Sequence, residues 1–283
     1  MHALSPITSE RWLLDLLPAT GNGRLQVLGI SGLQGSGKST LAAQLVQYAQ
    51  RQGLRAASLS LDDLYLGTAQ RRQLADQVHP LLATRGPPGS HDLALGHAVL
   101  DALQAGGPCA LPRFDKLADE PLPQACWPVA GPRLDLLVLE GWMLGVPAQE
   151  AAALVEPVNA LEREQDSDGR WRGWCNTVLG RDYPPLWRRI DHLCHLQAPG
   201  WEVVEGWRRQ QEQQLKLESG DKAAGMDDRQ LRHFIAHFER ISRHALACLP
   251  ALAHSQITVD AQRRVRARHT RPRLTAPRTS LSG

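Results

Sequence analysis

A glycine-rich segment near the start of the chain, residues 32–40, constrains the fold more than any other feature. It reads GLQGSGKST and has the spacing G-x-x-x-x-G-K-[ST]. An apolar run over residues 26–31 precedes it, and a helical pattern over residues 41–52 follows it, with Gly53 as a stop. This strand–loop–helix context predicts a loop whose backbone N–H groups curl around an anion.

Each position of this loop has an expected task. The predicted phosphate-binding residues are Gly32, Gly35, Ser36, Gly37, Lys38, Ser39 and Thr40. Lys38 is expected to reach the β- and γ-phosphates, and the Ser39 hydroxyl is expected to bind Mg²⁺. The helix that begins near Lys38 points its positive end at the anion. The segment therefore predicts a nucleoside triphosphate and Mg²⁺ as ligands.

Apolar and helical segments alternate along the rest of the chain. Further strands are predicted over residues 56–61, 134–139, 191–196 and 256–259, and helices over residues 92–105, 203–218 and 227–248. This order predicts an α/β protein of the P-loop NTPase type, with a mostly parallel sheet covered by helices on both faces. In such sheets ligands bind beyond the carboxyl ends of the strands.

Composition and charge bound the remaining possibilities. The 283 residues are 42% hydrophobic, enough for one domain over residues 1–262 with a lid around residues 200–220. Seven arginines and no acid lie between Arg263 and Arg278, so residues 263–283 are predicted to be a basic, flexible tail that is solvated rather than bound to nucleic acid. No run is long and apolar enough for a membrane span or a secretory signal, and a cytoplasmic protein is expected. No feature indicates an oligomeric state.

Acidic residues follow two of the predicted strands. Asp62 and Asp63 end the strand over residues 56–61, and Glu140 ends the strand over residues 134–139. Asp62 is predicted to be the general base that accepts the proton of a substrate hydroxyl. Asp63 either shares this position or caps the next helix. Glu140 is predicted to hold Mg²⁺ directly or through water, with a purely structural role as the alternative.

Three stretches combine cations with turn residues, namely residues 84–92, 111–116 and 207–212. The first two are predicted to be ordered loops that carry donors for an anionic or polyhydroxylated substrate. The third lies on a predicted helix. There, Arg208 and Arg209 are expected either to close over the γ-phosphate as part of a lid or to form a solvated helix face.

Together these motifs resemble one family, the plant and fungal type of D-glycerate 3-kinase with its bacterial relatives. This family lies within the larger group of phosphoribulokinase, uridine kinase and pantothenate kinase. The resemblance covers about residues 10 to 260 and rests on residues 32–40, 60–65, 85–92, 112–116, 137–142 and 198–212. It implies a P-loop kinase fold and Mg-ATP-dependent phosphorylation of a primary hydroxyl.

The resemblance also implies roles for individual residues. It places the acid of the group on Asp62, the phosphate-loop lysine on Lys38, the strand-end acid on Glu140 and the lid arginine on Arg208 or Arg209. The expected substrate-binding residues are Tyr65, Arg85, His91, Asp92, Arg113 and Lys116. Among them Arg85, Arg113 and Lys116 are candidates for the glycerate carboxylate because of their charge and loop position.

Two other functions are compatible with the sequence. In the first, the acceptor is another small alcohol, for example a nucleoside, a pantothenate-like alcohol or another hydroxy acid. Kinases of this group share the phosphate-binding residues, but the sequence does not reveal the acceptor pocket. Alternatively, the chain is a non-catalytic nucleotide-binding regulator whose basic tail contacts nucleic acid. The paired acids at positions 62 and 63 argue against the regulator.

Overall fold

The fold is built on a central six-stranded sheet. The computed structural model describes residue 16 and residues 23–219 and 226–270. The strands in chain order are β1 (Gln26–Gly32), β2 (Ala56–Ser60), β3 (Cys109–Ala110), β4 (Phe114–Asp115), β5 (Glu120–Pro121), β6 (Val129–Ala130), β7 (Leu136–Gly141), β8 (His192–Gln197), β9 (Ser255–Val259) and β10 (Val265–Thr270). The central sheet has the order β10-β9-β8-β1-β7-β2. The pairs β3–β6 and β4–β5 form two separate two-stranded antiparallel sheets, of which β4–β5 is a hairpin.

Helices connect and cover these strands. They are α1 (Lys38–Arg51), α2 (Thr68–Gln77), α3 (Leu93–Gln104), α4 (Ala160–Gln165), α5 (Arg170–Arg181), α6 (Pro184–Trp187), α7 (Val203–Ser219), α8 (Asp228–Ala236) and α9 (Glu239–Leu252). Short 3₁₀ turns lie at Leu61–Leu64, Pro80–Ala83, Gln124–Cys126 and Ala151–Leu154. Within the described ranges, every helix is too short or too polar to cross a bilayer.

The strand order places the phosphate loop at the middle of the sheet. Strand β1 pairs in parallel with β7 on one side and with β8 on the other, and Ile30 lies opposite both Glu140 and Cys194. Because the chain leaves β1 at its carboxyl end, the loop opens at the same edge as the ends of β2 and β7. The predicted α/β fold with a mostly parallel sheet is confirmed.

Burial on both faces explains why the central strands are almost entirely apolar. Alternate side chains of β7 belong to two different cores: Leu137 and Leu139 pack on one face, and Leu136 and Val138 on the other. The first core includes residues of α3 and α9, and the second includes residues of α1 and α7. Parallel strands covered in this way read as continuous hydrophobic runs.

Two predicted segments differ from the structure. The helix predicted over residues 227–248 is two helices, α8 and α9, which meet at His237 and Phe238. The basic tail was predicted to begin at Arg263, but β10 pairs antiparallel with β9. Strand β10 is held by backbone hydrogen bonds at the edge of the sheet. Because its side chains are largely exposed, its sequence has no apolar pattern that would predict a strand. Residues 271–283 of the predicted tail lie outside the described residues.

Three buried histidines predict how the stability of the fold depends on pH. Burial lowers the pKa of His91, His195 and His237 from 6.5 to about 4 in each case. Between about pH 6.5 and pH 4 the unfolded chain therefore binds protons that the folded chain does not, so the free energy of unfolding decreases as the pH falls. We expect the melting temperature to drop by several degrees between pH 7 and pH 5.

A His237→Asn variant tests the origin of this acid sensitivity. Its melting temperature should change less between pH 7 and pH 5 than that of the wild type, whatever its absolute value. The matched control is His269→Asn, because His269 is exposed on β10. Equal pH dependence in His237→Asn and the wild type would contradict the assignment to buried histidine.

Candidate active site

The phosphate loop, residues 32–40, has a backbone that needs glycine at two positions. Gly35 and Gly37 have φ angles of +74° and +96°, a region that side chains other than glycine rarely adopt. A Cβ atom at Gly35 would also lie 2.7 Å from the Cβ of Trp207 on α7. Gly37 is the N-cap of α1, so the positive end of this helix faces the loop.

The lysine and serine of the loop lie beside the end of β7. The buried Lys38 ammonium donates to the Leu33 carbonyl at 3.0 Å. Burial lowers the pKa of Lys38, while the carboxylates of Glu140 and Asp62 oppose this shift. The Ser39 hydroxyl donates to Oε1 of Glu140 at 2.7 Å. A hydroxyl and a carboxylate in contact next to a phosphate cradle match the few protein oxygens that Mg²⁺ takes, so the pair fits this ion.

The two acids after β2 have different surroundings. The Asp63 carboxylate is hydrogen-bonded to the backbone: it accepts from the amide of Ser60 at 3.4 Å and from the amide of Phe114 at 3.2 Å. It also contacts Arg113, 3.3 Å away. Asp63 thus closes the 3₁₀ turn and ties it to β4, which matches the capping alternative. Its neighbour Asp62 is left to face the cavity.

Asp62 is held from both of its carboxylate oxygens. The Tyr65 hydroxyl donates to Oδ1 at 2.8 Å, and the Lys116 ammonium donates to Oδ2 at 2.7 Å. Burial disfavours the charged form, but Lys116, Tyr65 and Lys38 outweigh it and bring the pKa of Asp62 well below its usual range. Asp62 is therefore ionised, with a fixed orientation, at neutral pH.

One cavity joins the phosphate loop to Asp62. Besides Lys38 of the phosphate loop, three cations from separate segments line it: Arg85 from the loop before α3, Lys116 from the β4–β5 hairpin and Arg208 from α7. Its lining also includes Gln34, Gly35, Gly37, Lys38, Ser39, Thr40, Asp62, Tyr65, Glu140, Trp142, Gln211, Phe234 and Phe238. The same three cations line an adjoining cavity, which extends the site away from the phosphate loop. The site thus combines a phosphate cradle, an ionised acid and a positive wall.

The structure distinguishes the two arginines of α7, the helix predicted from the sequence to act as a lid and called the lid helix below. Arg208 lines the cavity, with its guanidinium held by Gln211 and Glu212, each at 2.7 Å. Its buried Nε–H makes no hydrogen bond to any described residue. Arg209 instead points to Glu205 at 2.7 Å and Asp228 at 3.3 Å, outside the cavity. Of the two arginines, Arg208 lines the cavity that contains the phosphate loop, and Arg209 does not.

Arg85 is fixed by a partner that sequence reasoning missed. Asp119, in the β4–β5 hairpin, accepts from Arg85 at 2.5 Å and from the fully buried Arg71 at 2.5 Å. Its φ angle of +58° is unusual for a residue other than glycine. The short hairpin therefore organises two cations of the site, since it also carries Lys116.

Three predicted substrate-binding residues do not line this cavity. Asp92 is the N-cap of α3 and accepts from the Leu95 amide at 2.8 Å, so its carboxylate holds the helix. His91 is buried against the Tyr183 hydroxyl, 2.7 Å away, behind the ring of Tyr65. Arg113 faces a neighbouring cavity, where it pairs with Asp63.

Within the loop itself, two predicted phosphate-binding residues have supporting positions. A Cβ atom at Gly32 would lie 2.8 Å from the Cβ of Leu196, so Gly32 lets the loop approach β8. Ser36 is buried. Neither residue belongs to the lining of the cavity.

An aromatic wall completes the site and was also missed. Trp142 and Phe238 meet edge to face with ring centroids 5.0 Å apart, and both line the cavity with Phe234. Trp142 follows Glu140 and Gly141 at the end of β7, and this position could have marked it as a site residue. Phe234 lies on α8 and Phe238 lies in the break between α8 and α9, which the sequence did not indicate.

The fold and this cavity define a P-loop kinase, a class in which a phosphate loop and an acid meet at the carboxyl edge of a parallel sheet. A family model described as methylmalonyl Co-A mutase-associated GTPase MeaB matches residues 4–66, the part of the chain around the phosphate loop. A relative in Schizosaccharomyces pombe, described as uncharacterized kinase mug58, is 35% identical over 225 residues, which are 76% of this chain and 79% of that protein.

Two D-glycerate 3-kinases are also similar. The chloroplastic enzyme of Arabidopsis thaliana is 30% identical over 228 residues, 75% of this chain but only 46% of that protein. The structure of the enzyme from Cryptococcus neoformans superimposes with a TM-score of 0.75 at 26% identity, covering 92% of this chain and 97% of that one. The chain belongs to the family of P-loop kinases that contains the fission yeast kinase and the D-glycerate 3-kinases. It is a small-molecule phosphotransferase.

Proposed function

We propose that this kinase transfers the γ-phosphoryl group of ATP to a hydroxyl of D-glycerate and so produces 3-phosphoglycerate. The observation that carries the proposal is that Asp62 shares one cavity with the phosphate loop and with Arg85, Lys116 and Arg208. An ionised acid suits a substrate hydroxyl, and a positive wall suits a substrate carboxylate. The similarity to two D-glycerate 3-kinases supports this choice of acceptor.

Asp62 performs the proton transfer. Its carboxylate accepts a hydrogen bond from the acceptor hydroxyl and aligns the oxygen with the γ-phosphorus. The new oxygen–phosphorus bond forms as the bond from the γ-phosphorus to the bridging oxygen of ADP breaks, and the hydroxyl proton passes to Asp62. Because the pKa of Asp62 is low, this transfer comes late, and orientation is the larger part of its contribution.

Positive side chains stabilise the charge on the transferring group. Lys38 reaches it from the phosphate loop and Arg208 from the lid helix α7, on two sides of the cavity. Ser39 and Glu140 would hold Mg²⁺, which neutralises phosphate charge when it is bound. The backbone amides of the loop bind the remaining phosphate oxygens.

Arg85 and Lys116 are the proposed partners of the acceptor carboxylate. Both line the cavity and its extension, whereas Arg113 is paired with Asp63 in the neighbouring cavity. Lys116 is half-exposed and contacts Asp62 directly, so it can bridge the carboxylate of an acceptor and the base that activates its hydroxyl. An acceptor carboxylate would share these cations with their partners in the protein, Asp119 for Arg85 and Asp62 for Lys116.

An acceptor panel tests this proposal. ATP consumption is measured with D-glycerate, L-glycerate, glycerol, pantothenate and uridine at matched concentrations. Loss of one charged hydrogen-bonding partner costs about 1.5–3 kcal/mol, so kcat/KM for D-glycerate should exceed that for glycerol by about 100-fold. Equal turnover of glycerol, or a preference for a nucleoside, would contradict the proposed acceptor.

A further inference from the structure

The turn between β9 and β10 lies against both the phosphate loop and the lid helix α7. The Asp260 carboxylate shapes this turn by accepting from the amides of Gln262 at 2.9 Å and Arg264 at 2.8 Å. Arg263 at its tip has a φ angle of +62°, which is uncommon for a side chain other than glycine. The backbone thus holds the Arg263 side chain in one direction, and strained positions of this kind cluster at functional sites.

The Arg263 side chain connects three parts of the molecule. Its Nε donates to the carbonyl of Gly35 in the phosphate loop at 2.5 Å, and one terminal nitrogen donates to Gln210 of α7 at 2.8 Å. The guanidinium also stacks on the Trp207 ring, 5.2 Å from its centroid. One arginine therefore spans the β9–β10 turn, the phosphate loop and the lid.

Trp207 makes this junction tight. It is buried, and its indole N–H donates to the carbonyl of Ala261 in the same turn at 2.7 Å. Its Cβ lies so close to Gly35 that a side chain there would clash. The loop, the lid helix and the turn are thus in direct contact.

Peptide geometry explains how Arg263 acts on the phosphate cradle. In a trans peptide, the carbonyl of one residue and the N–H of the next point in opposite directions. Arg263 holds the Gly35 carbonyl outward, so the Ser36 N–H points into the loop, where it meets the Leu33 carbonyl at 3.2 Å. The interior of the loop is also where the Lys38 ammonium lies.

We propose that Arg263 is a positioning residue for nucleotide binding, which sets the orientation of the Gly35–Ser36 peptide and couples the phosphate loop to the lid helix. The guanidinium touches the loop from outside and acts through its backbone. Its loss should weaken nucleotide binding and leave the acceptor site unchanged, because Arg263 does not line the cavity that holds Arg85 and Lys116.

Three variants test this role. Arg263→Gly removes the guanidinium but keeps the turn, because glycine adopts positive φ angles readily. Arg263→Lys keeps the charge but loses the planar fork that serves two acceptors at once. Arg264→Ala is the matched control, since Arg264 is the exposed neighbour on the same turn. The dissociation constant of ATP is measured by calorimetry without acceptor, together with melting temperature and KM for both substrates.

We expect Arg263→Gly to raise the dissociation constant and the KM of ATP about tenfold, as for one charged hydrogen bond. Arg263→Lys should lie between Arg263→Gly and the wild type. Arg264→Ala should bind ATP within twofold of the wild type, and the KM of the acceptor should be unchanged in all three. Wild-type ATP affinity in Arg263→Gly would overturn the proposal, as would an equal loss in Arg264→Ala. Because binding is measured without acceptor, the result is independent of whether D-glycerate is the acceptor.

Discussion

An Asp62→Asn enzyme is expected to turn over about 10²- to 10⁴-fold more slowly than the wild type while binding ATP with unchanged affinity. The amide keeps the shape of the side chain but cannot accept the hydroxyl proton. It also presents an N–H group to Lys116 or Tyr65, both of which are donors to the carboxylate in the wild type. The loss should therefore appear in kcat, measured by single-turnover kinetics, and not in the dissociation constant of ATP.

Asp63→Asn is the matched control for this experiment. The Asp63 carboxylate accepts from the amides of Ser60 and Phe114 and does not line the main cavity. We expect this variant to melt at a lower temperature but to keep kcat within tenfold of the wild type. An Asp62→Asn protein with normal turnover, or an Asp63→Asn protein with the larger kinetic loss, would refute the assignment of the base.

Arg208→Ala is expected to lower kcat by about 10²- to 10³-fold, the usual cost of losing one preorganised donor to a developing negative charge. Glu212 and Gln211 hold the guanidinium in place at the wall of the cavity that also contains Lys38. Arg208 also stacks near Phe234, with the guanidinium carbon 5.9 Å from the ring centroid. This preorganisation is what the alanine variant removes.

Arg209→Ala provides the comparison, because Arg209 is the adjacent residue on the same helix. Its contacts are surface ion pairs with Glu205 and Asp228, which are worth less than about 1 kcal/mol. We expect its kcat to stay within threefold of the wild type in the same steady-state assay. The reverse order of effects would show that the lid rotates before catalysis and would contradict the assignment of Arg208.

Local sequence patterns were sufficient for the residues that the backbone places directly. The phosphate loop and Asp62 each follow a buried strand, Glu140 lies at the end of another, and parallel strands bring their carboxyl ends to one edge. Their proximity therefore follows from topology alone. The same reasoning predicted the strands β1, β2, β7, β8 and β9 with each end within two residues of its observed position.

Side-chain direction and long-range contacts could not be predicted from the sequence. Neighbouring residues on a helix point about 100° apart, so choosing Arg208 over Arg209 requires the packing of α7 against its neighbours. His91 and Asp92 lie in a loop that reads as polar, yet one is buried and the other caps a helix. Asp119 reaches Arg85 across 34 residues of chain, and no local pattern indicates that contact.

The most direct test of the central claim is a crystal structure of Asp62→Asn with Mg²⁺, a non-hydrolysable ATP analogue and D-glycerate. The account predicts that the 3-hydroxyl oxygen lies about 2.6–3.2 Å from the side chain at position 62 and in line with the γ-phosphorus, with the glycerate carboxylate on Arg85 and Lys116. A bound glycerate whose hydroxyl faces away from position 62, too distant for a hydrogen bond while the γ-phosphate occupies the loop, would contradict it.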